Sequence, residues 1–436
     1  MLYPGSMPVW TADGAAGRRA IAAALLFGGS ALALGCGARS GLASPERPLD
    51  AAPDGGLDGA SAPALVPLCV EAPREAGPVR ATLTLPINLA VVDLFFLIDA
   101  TASMRDEIDN VRAGLRTRVV PGVREAIPDA AFGLAFAGEF PVLPHASGDI
   151  LPYELRSPIT SDVIRIEAAL DGAPVWGNVD VPEAQIEGLY QLATGDGLPP
   201  WIPASAGCPS GGSGGACFRD EALPLVVLVT DAPMHNGPPG VAPEEAYAFA
   251  GPHDYAETLA ALRALGALVI GLGARDPGSD SPMPHLRALA EDTGAIDAEG
   301  APLVFDIGSR GTEVGSGVVQ AIRRLAEGLP LDVDALVLDV PGDAWDALEL
   351  IHSIRVVAAE PPEGAAAIRG GEALGVRPGT RLVYEIEVDT RSMPASDSTR
   401  RIPVRIIFRA FERTWLGAVD LQIVVPGLEG GGCLES

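Results

Sequence analysis

Phe95-Phe96-Leu97-Ile98-Asp99-Ala100-Thr101-Ala102-Ser103-Met104 is an apolar run that ends in Asp-x-Thr-x-Ser and passes directly into a helical pattern. A short continuous apolar run bounded by turn residues reads as a strand buried on both faces. One carboxylate and two hydroxyls, spaced by single residues on a turn, can converge on one hard cation, which takes oxygen ligands. A second apolar strand, Leu223-Pro224-Leu225-Val226-Val227-Leu228-Val229-Thr230, ends in the same manner at Asp231. A third acidic turn, Gly177-Asn178-Val179-Asp180-Val181-Pro182-Glu183, opens a helical pattern from about Pro182 to Leu192.

Outward from these turns, strand-like segments fall near 90–98, 131–137, 224–230, 267–272 and 303–307. Helical patterns fall near 104–118, 161–170, 183–193, 254–265, 284–293 and 314–327. Strands alternating with helices favour parallel pairing through right-handed crossovers, hence a doubly wound α/β sheet. Such a sheet collects ligand-binding loops along the crest formed by its strand ends. The long irregular stretches 138–160 and 194–222 are expected to shape that face.

Asp-x-[Ser/Thr]-x-Ser, followed by Thr230-Asp231 at a later strand end, resembles the von Willebrand factor A fold and its metal-ion-dependent adhesion site. The Asn178-x-Asp180-x-Pro182-Glu183 segment is similar to the I-like domain of integrin beta subunits. The resemblance spans roughly residues 86 to 328 and implies a six-stranded, mostly parallel sheet. Carried over by position, it implies an adhesion site made of Asp99, Thr101, Ser103, Glu183 and Asp231. A flanking site would use Asp106 and Glu107. A site on the other flank would use Glu139, Asn178, Asp180, the Pro182 carbonyl and Glu183. The implied cofactors are divalent cations, Mg²⁺, Ca²⁺ or Mn²⁺. The implied partner is a protein that presents an acidic residue to the ion.

A metal-free reading competes with this one. Ser103-Met-Arg-Asp106 and Asp180-Val-Pro-Glu183 both have capping-box spacing, in which the side chains satisfy orphan backbone donors at a helix start. The crest placement of three acidic turns favours the metal reading.

Composition narrows the function. The chain has 436 residues, 48% of them hydrophobic, enough for one large core and a smaller second one. Its formal net charge of -27 argues against nucleic acid, whose phosphates are met by basic patches. Its basic residues are all arginine, which removes the Gly-Lys-[Ser/Thr] phosphate loop and any Schiff-base mechanism.

Residues 1–36 read as a signal segment: Arg18-Arg19 precede the apolar run Ala20 to Leu34, and Ala33-Leu34-Gly35-Cys36 resembles a bacterial lipoprotein cleavage box. Cys36 is then the acylated residue, giving an exported envelope protein held at the membrane by a lipid anchor. Residues 37–67, rich in Ala, Pro, Gly, Ser and Asp without periodicity, read as a disordered tether with a reach of about 30 Å.

With Cys36 set apart, four of the five cysteines remain, an even set suited to an oxidising compartment. Three connectivities are open to them. The glycine-rich stretch between Cys208 and Cys217 can bend back on itself, which favours Cys208–Cys217 and leaves Cys69–Cys433. A zinc site is disfavoured because the cysteine spacings are wrong and the five histidines are scattered.

From Pro330 onward only strands are expected: Asp332 to Val340, Leu348 to Val357, Arg381 to Val388, Arg401 to Phe411 and Trp415 to Val425. Repeated turns and the alternation in Leu382-Val-Tyr-Glu-Ile-Glu-Val388 point to a sandwich over 329–436. Residues 68–87 contain a strand, Arg80 to Leu85, that can join it, which makes 88–328 an insertion.

The leading functional expectation is a metal-dependent protein-binding module and not an enzyme. An architectural envelope lipoprotein with purely structural metals is the alternative. A metal-assisted hydrolase needs a base near the ion, and His235 is the one residue placed to serve.

Overall fold

The computed structural model describes residues 68–177, 180–209, 211–274, 280–342, 344–428 and 430–433. The signal segment, Cys36, the 37–67 tether and Asn178 lie outside these residues.

Two strands open the described chain, β1 (Leu68–Glu71) and β2 (Val79–Pro86). The α/β part follows as β3 (Val91–Asp99), α1 (Arg105–Gly114), α2 (Val120–Ala126), β4 (Asp129–Ala137), β5 (Glu154–Thr160), α3 (Val163–Asp171) and α4 (Gln185–Thr194). It continues with β6 (Leu223–Thr230), α5 (Tyr255–Leu265), β7 (Leu268–Gly273), α6 (Met283–Thr293), β8 (Val304–Asp306) and α7 (Val314–Gly328). The chain then returns to strands: β9 (Leu331–Asp339), β10 (Ile351–Glu360), β11 (Ala367–Arg369), β12 (Glu372–Val376), β13 (Arg381–Val388), β14 (Arg400–Ala410) and β15 (Thr414–Val425).

The α/β sheet has six strands in the order β5-β4-β3-β6-β7-β8. The pairs from β4 to β8 are parallel, and β5 lies antiparallel on the β4 edge. Alternate side chains of β3 feed opposite faces. Leu94, Phe96 and Ile98 pack with the apolar sides of α1, α3 and α7, whereas Phe95 and Leu97 pack with those of α4, α5 and α6. This double coverage is why β3 and β6 read as unbroken apolar runs. The chain moves from β3 to one side and from β6 to the other, so the order reverses between these two neighbours. The C-terminal ends of β3 and β6 are therefore the place where an open α/β sheet leaves a crevice for a ligand.

Two expectations need correction. Part of the stretch 138–160 is not irregular, because Glu154–Thr160 forms the edge strand β5. The helix after the adhesion turn also does not stop near 118. It widens into a π turn at Leu115–Val119, where Val120 N–H bonds the Leu115 carbonyl, and resumes as α2 with Pro121 in its first turn. Proline has no N–H to give the usual ladder, and the wider turn accommodates it.

The remaining strands form two further sheets, β1-β15-β14-β9-β12-β11 and β10-β13-β2. Their inner faces meet, with Tyr384 of β13 and Phe408 of β14 at a ring-centroid distance of 4.7 Å. Strand β2 pairs antiparallel with β13 from Val79↔Val388 to Pro86↔Arg381, and β1 pairs parallel with β15. The α/β part thus lies in the chain between β2 of the three-stranded sheet and β9 of the six-stranded one. Two disulfides are present, Cys69–Cys433 and Cys208–Cys217. Among the described residues no helix is long and apolar enough to cross a membrane.

Candidate functional site

Asp99 is the last residue of β3, fully buried, and its two oxygens have different partners. Oδ1 accepts from the Thr101 amide at 2.9 Å and from the Thr101 hydroxyl at 2.7 Å. Oδ2 lies 2.8 Å from the Thr230 hydroxyl and 3.4 Å from Gln185 Nε2. Because Ile98 is in register with Val229 of β6, Asp231 emerges beside Asp99. A chain of hydroxyls links them: Thr101 Oγ1 is 3.2 Å from Ser103 Oγ, which donates to Asp231 Oδ1 at 3.1 Å. Thr101 is buried, and Ser103 sits exposed at the rim.

Glu183 reaches the same crest by backbone pairing. Its N–H bonds the Pro233 carbonyl at 3.1 Å, its carbonyl accepts from His235 N at 2.9 Å, and Ala184 N bonds the Gly138 carbonyl at the exit of β4. Helix α4 then packs close to the sheet at Gly188, where a Cβ would lie 3.2 Å from the Leu97 side chain.

The capping alternative does not describe these residues. Helix α4 begins at Gln185, later than expected, and its N-cap is Ala184 with no side-chain cap. The N-cap of α1 is Met104, also without one, so Ser103 is free to turn toward Asp231.

Electrostatics at the crest disfavour the ionised carboxylates. Burial raises the Asp99 carboxyl above its ordinary range. Burial, with the Asp99 charge adding to it, lifts Asp231 to about 7. Glu183 is pushed well above its usual value by burial and then by the charges of Asp99, Glu139, Asp180 and Asp231. Among the described residues no arginine pairs with Asp99 or Asp231. Carboxylates that repel one another in a dry setting, with hydroxyls beside them, form a donor set suited to a hard divalent ion.

The flanks differ. Asp106 is exposed at the start of α1, whereas Glu107 is buried, and burial lifts it to about 7. The loop before α7 lies against Glu107, with Gly311 so close that a Cβ would come within 2.8 Å of Glu107 Cγ. Glu107 Oε2 is buried without a hydrogen-bond partner. On the other flank Pro182 is buried beside Glu183. Glu139 is fully buried, lifted to about 8 chiefly by burial, and bonded through Oε1 to the Tyr247 hydroxyl at 2.6 Å.

Two of the five histidines, His145 and His235, prove not to be scattered. His145 Nδ1 lies 2.6 Å and His235 Nε2 lies 3.2 Å from Asp180 Oδ2, and His235 is 3.6 Å from Glu139 Oε2. His235 is accordingly not a lone loop histidine. Gln185 and His145 were not legible as site residues, since no short motif contains them, and Thr230, although it stands in the Thr230-Asp231 motif, was not expected to bond Asp99. The only signal of Gln185 and His145 is polar character in otherwise apolar surroundings.

No protein-family model matches the chain, and no curated protein matches it. Solved structures that it resembles include a von Willebrand factor type A protein from Catenulispora acidiphila, at 14% identity and a TM-score of 0.36, covering 82% of this chain and 72% of that one. The pilus adhesin SpaC from Lactobacillus rhamnosus GG, in its open conformation, matches at 13% identity and a TM-score of 0.33, covering 80% of this chain and 45% of that one. The SpRpn10 VWA domain matches at 12% identity and a TM-score of 0.31, covering 53% of this chain and 95% of that domain.

Proposed function

We propose that this chain is a von Willebrand factor A-type protein-binding module that captures an acidic group of a partner protein through a divalent cation. The observation that carries the reading is the convergence of Asp99, Thr101, Ser103 and Asp231 at the ends of two adjacent parallel strands, with Ser103 at the exposed rim. A bound Mg²⁺, Ca²⁺ or Mn²⁺ would supply a Lewis-acidic position that a carboxylate from outside can complete. Asp99 and Asp231 would neutralise the ion, and Thr101 and Ser103 would turn their hydroxyl lone pairs toward it. Glu183 would close the buried side, while Thr230 and Gln185 hold the Asp99 carboxylate in place. The function is binding without turnover. Asp106 and Glu107 form a secondary cation position in this proposal.

The test is capture of envelope proteins on the immobilised full chain, in Mg²⁺ and in chelator. Mg²⁺-dependent capture that disappears in Asp231→Ala and Asp99→Ala is the expected result. Equal Mg²⁺ affinity by calorimetry in wild type and both variants would refute the site. Metal binding without metal-dependent capture would leave the purely architectural reading standing.

Two disulfides support an exported location, since such bonds persist in oxidising compartments. We place the chain in a bacterial envelope, anchored through acylated Cys36. Cys36→Ser should then move the protein from the membrane fraction to the soluble one, and an unaltered distribution would rule the anchor out.

A further inference from the structure

We infer that His145, His235, Asp180 and Glu139 form a second metal site, specific for a borderline transition-metal ion of the Zn²⁺ class. This inference stands whether or not the Asp99 and Asp231 site holds, because its histidine ligands are different; it assigns Glu139 and Asp180, expected from the sequence in a flanking oxygen-ligand site, to a different ion.

The donor atoms are already gathered. One nitrogen from each of the two histidines and one Asp180 oxygen all lie within 4.8 Å of one another. The imidazole rings stand edge to face, 4.7 Å between centroids and 80° between planes. Ligands about 2.0–2.1 Å from a tetrahedral ion lie about 3.4 Å apart. The present separations of 2.6, 3.2 and 3.6 Å bracket that value.

Hydrogen bonding around His235 leaves an unmet need. Its Nδ1 faces the Glu245 carbonyl at 3.3 Å, and its Nε2 faces Asp180 and Glu139. A neutral imidazole has one N–H, so with the facing carboxylates ionised either tautomer sets a lone pair against an acceptor. A metal on Nε2 resolves this, with Nδ1–H donating to the Glu245 carbonyl, the outer-shell arrangement that orients a ligating histidine. Glu139 makes an independent case. Its Oε1 accepts from the Tyr247 hydroxyl and the Phe140 amide, while its fully buried Oε2 has no hydrogen-bond partner and points toward His235. Tyr247 packs against both histidines and Phe249 against His145, with Phe140 behind the two rings.

The donor set decides the ion. Two of four ligands are imidazole nitrogens, which suit zinc and its neighbours, whereas Mg²⁺ and Ca²⁺ select oxygen. Glu139 lies outside the group of His145, His235 and Asp180 but 3.6 Å from His235, and drawn in as a fourth ligand it would make the site closed and structural. Its ion would join the β4 exit loop, the segment before α4 and the β6 exit loop, which also carry Glu183 and Asp231.

Co²⁺ serves as the spectroscopic probe for Zn²⁺. The full chain, stripped with chelator, should take up about one equivalent of Co²⁺ with the intense visible bands of four-coordinate Co²⁺. Zn²⁺ should displace it and excess Mg²⁺ should not. In a His145→Gln/His235→Gln double variant the Co²⁺ affinity should fall by more than the roughly 10- to 100-fold that loss of an outer-shell partner costs. Asp231→Ala should keep the bands, even though it loses Mg²⁺ binding at the crest, which separates the two sites. No uptake by the wild type, unchanged affinity in the double variant, or bands lost in Asp231→Ala would each overturn the inference. Should the double variant fail to fold, the isosteric Glu139→Gln and the single His145→Gln carry the test. Each should weaken Co²⁺ binding, and unchanged affinity in both would overturn it.

Discussion

Asp99 and Asp231 sit in a setting that penalises their charge, and the penalty has a pH signature. The carboxyls of Asp231 and Glu107 are lifted to about 7, and that of Glu139 to about 8, in each case first by burial. In the unfolded chain such groups titrate near about 4, so the metal-free native state binds more protons than the unfolded state between about 4 and 8. The sign follows: their contribution to stability is fully present at acid pH and is lost as pH rises through about 7 to 8. Thermal melts in chelator should therefore show a Tm that falls from pH 5 to pH 9, and added Mg²⁺ should flatten the slope by binding the native state. A Tm that rises over this range in chelator would contradict the picture. Asp99, Ser103 and Asp231 were legible in the sequence because each lies within a few residues of a strand end. Gln185 and His145 were not, because what makes them site residues is register between distant segments.

Helix α4 shows how an element rather than a ligand can govern the site. It carries Gln185 in its first turn, and Gly188 lets it approach Leu97 of β3. In Gly188→Val the added methyls have nowhere to go, and overpacking of this kind costs about 1–3 kcal/mol. We expect Gly188→Val to lower the Tm and to weaken Mg²⁺ binding in calorimetry although no ligand is removed. Full affinity in a destabilised variant would show that α4 does not position the site. At this scale the sequence is legible wherever burial is symmetrical. Strands β3 and β6 are covered on both faces and read as continuous apolar runs, whereas β5 is an edge strand that contains Pro158 and has irregular register. Proline within a short, half-exposed segment argues against a strand, and only an edge position tolerates it. The same residue type conceals α2, since Pro121 reads as a stop until the π turn that accommodates it is seen.

At the scale of the molecule, β1 and β2 on one side and β9–β15 on the other form the sandwich, and Cys69–Cys433 closes a separation of 364 residues against 9 for Cys208–Cys217. On the chain-entropy model the longer loop stabilises more, by roughly 3 kcal/mol, although disulfides often deliver less than that model gives. Urea denaturation of Cys69→Ala/Cys433→Ala should accordingly show a larger loss than Cys208→Ala/Cys217→Ala. Equal losses would mean that β1 is held by its pairing with β15 and not by the bridge. An insertion was expected because a strand pattern precedes the α/β pattern and an all-strand pattern follows it. The sheet order that places β2 beside β13 was not, since it depends on contacts nearly three hundred residues apart.

The terminal bridge has a mechanical meaning as well. Every residue between Cys69 and Cys433 belongs to a covalent ring, and a ring offers two routes between any two of its points. A pull applied at the crest and resisted at Cys69 divides between the short route through β2 and β3 and the long route through the later strands and the bridge. Neither route can pay out slack until the other has also lengthened. Reduced protein, left with a single route, should extend further under the same load in a force spectrometer.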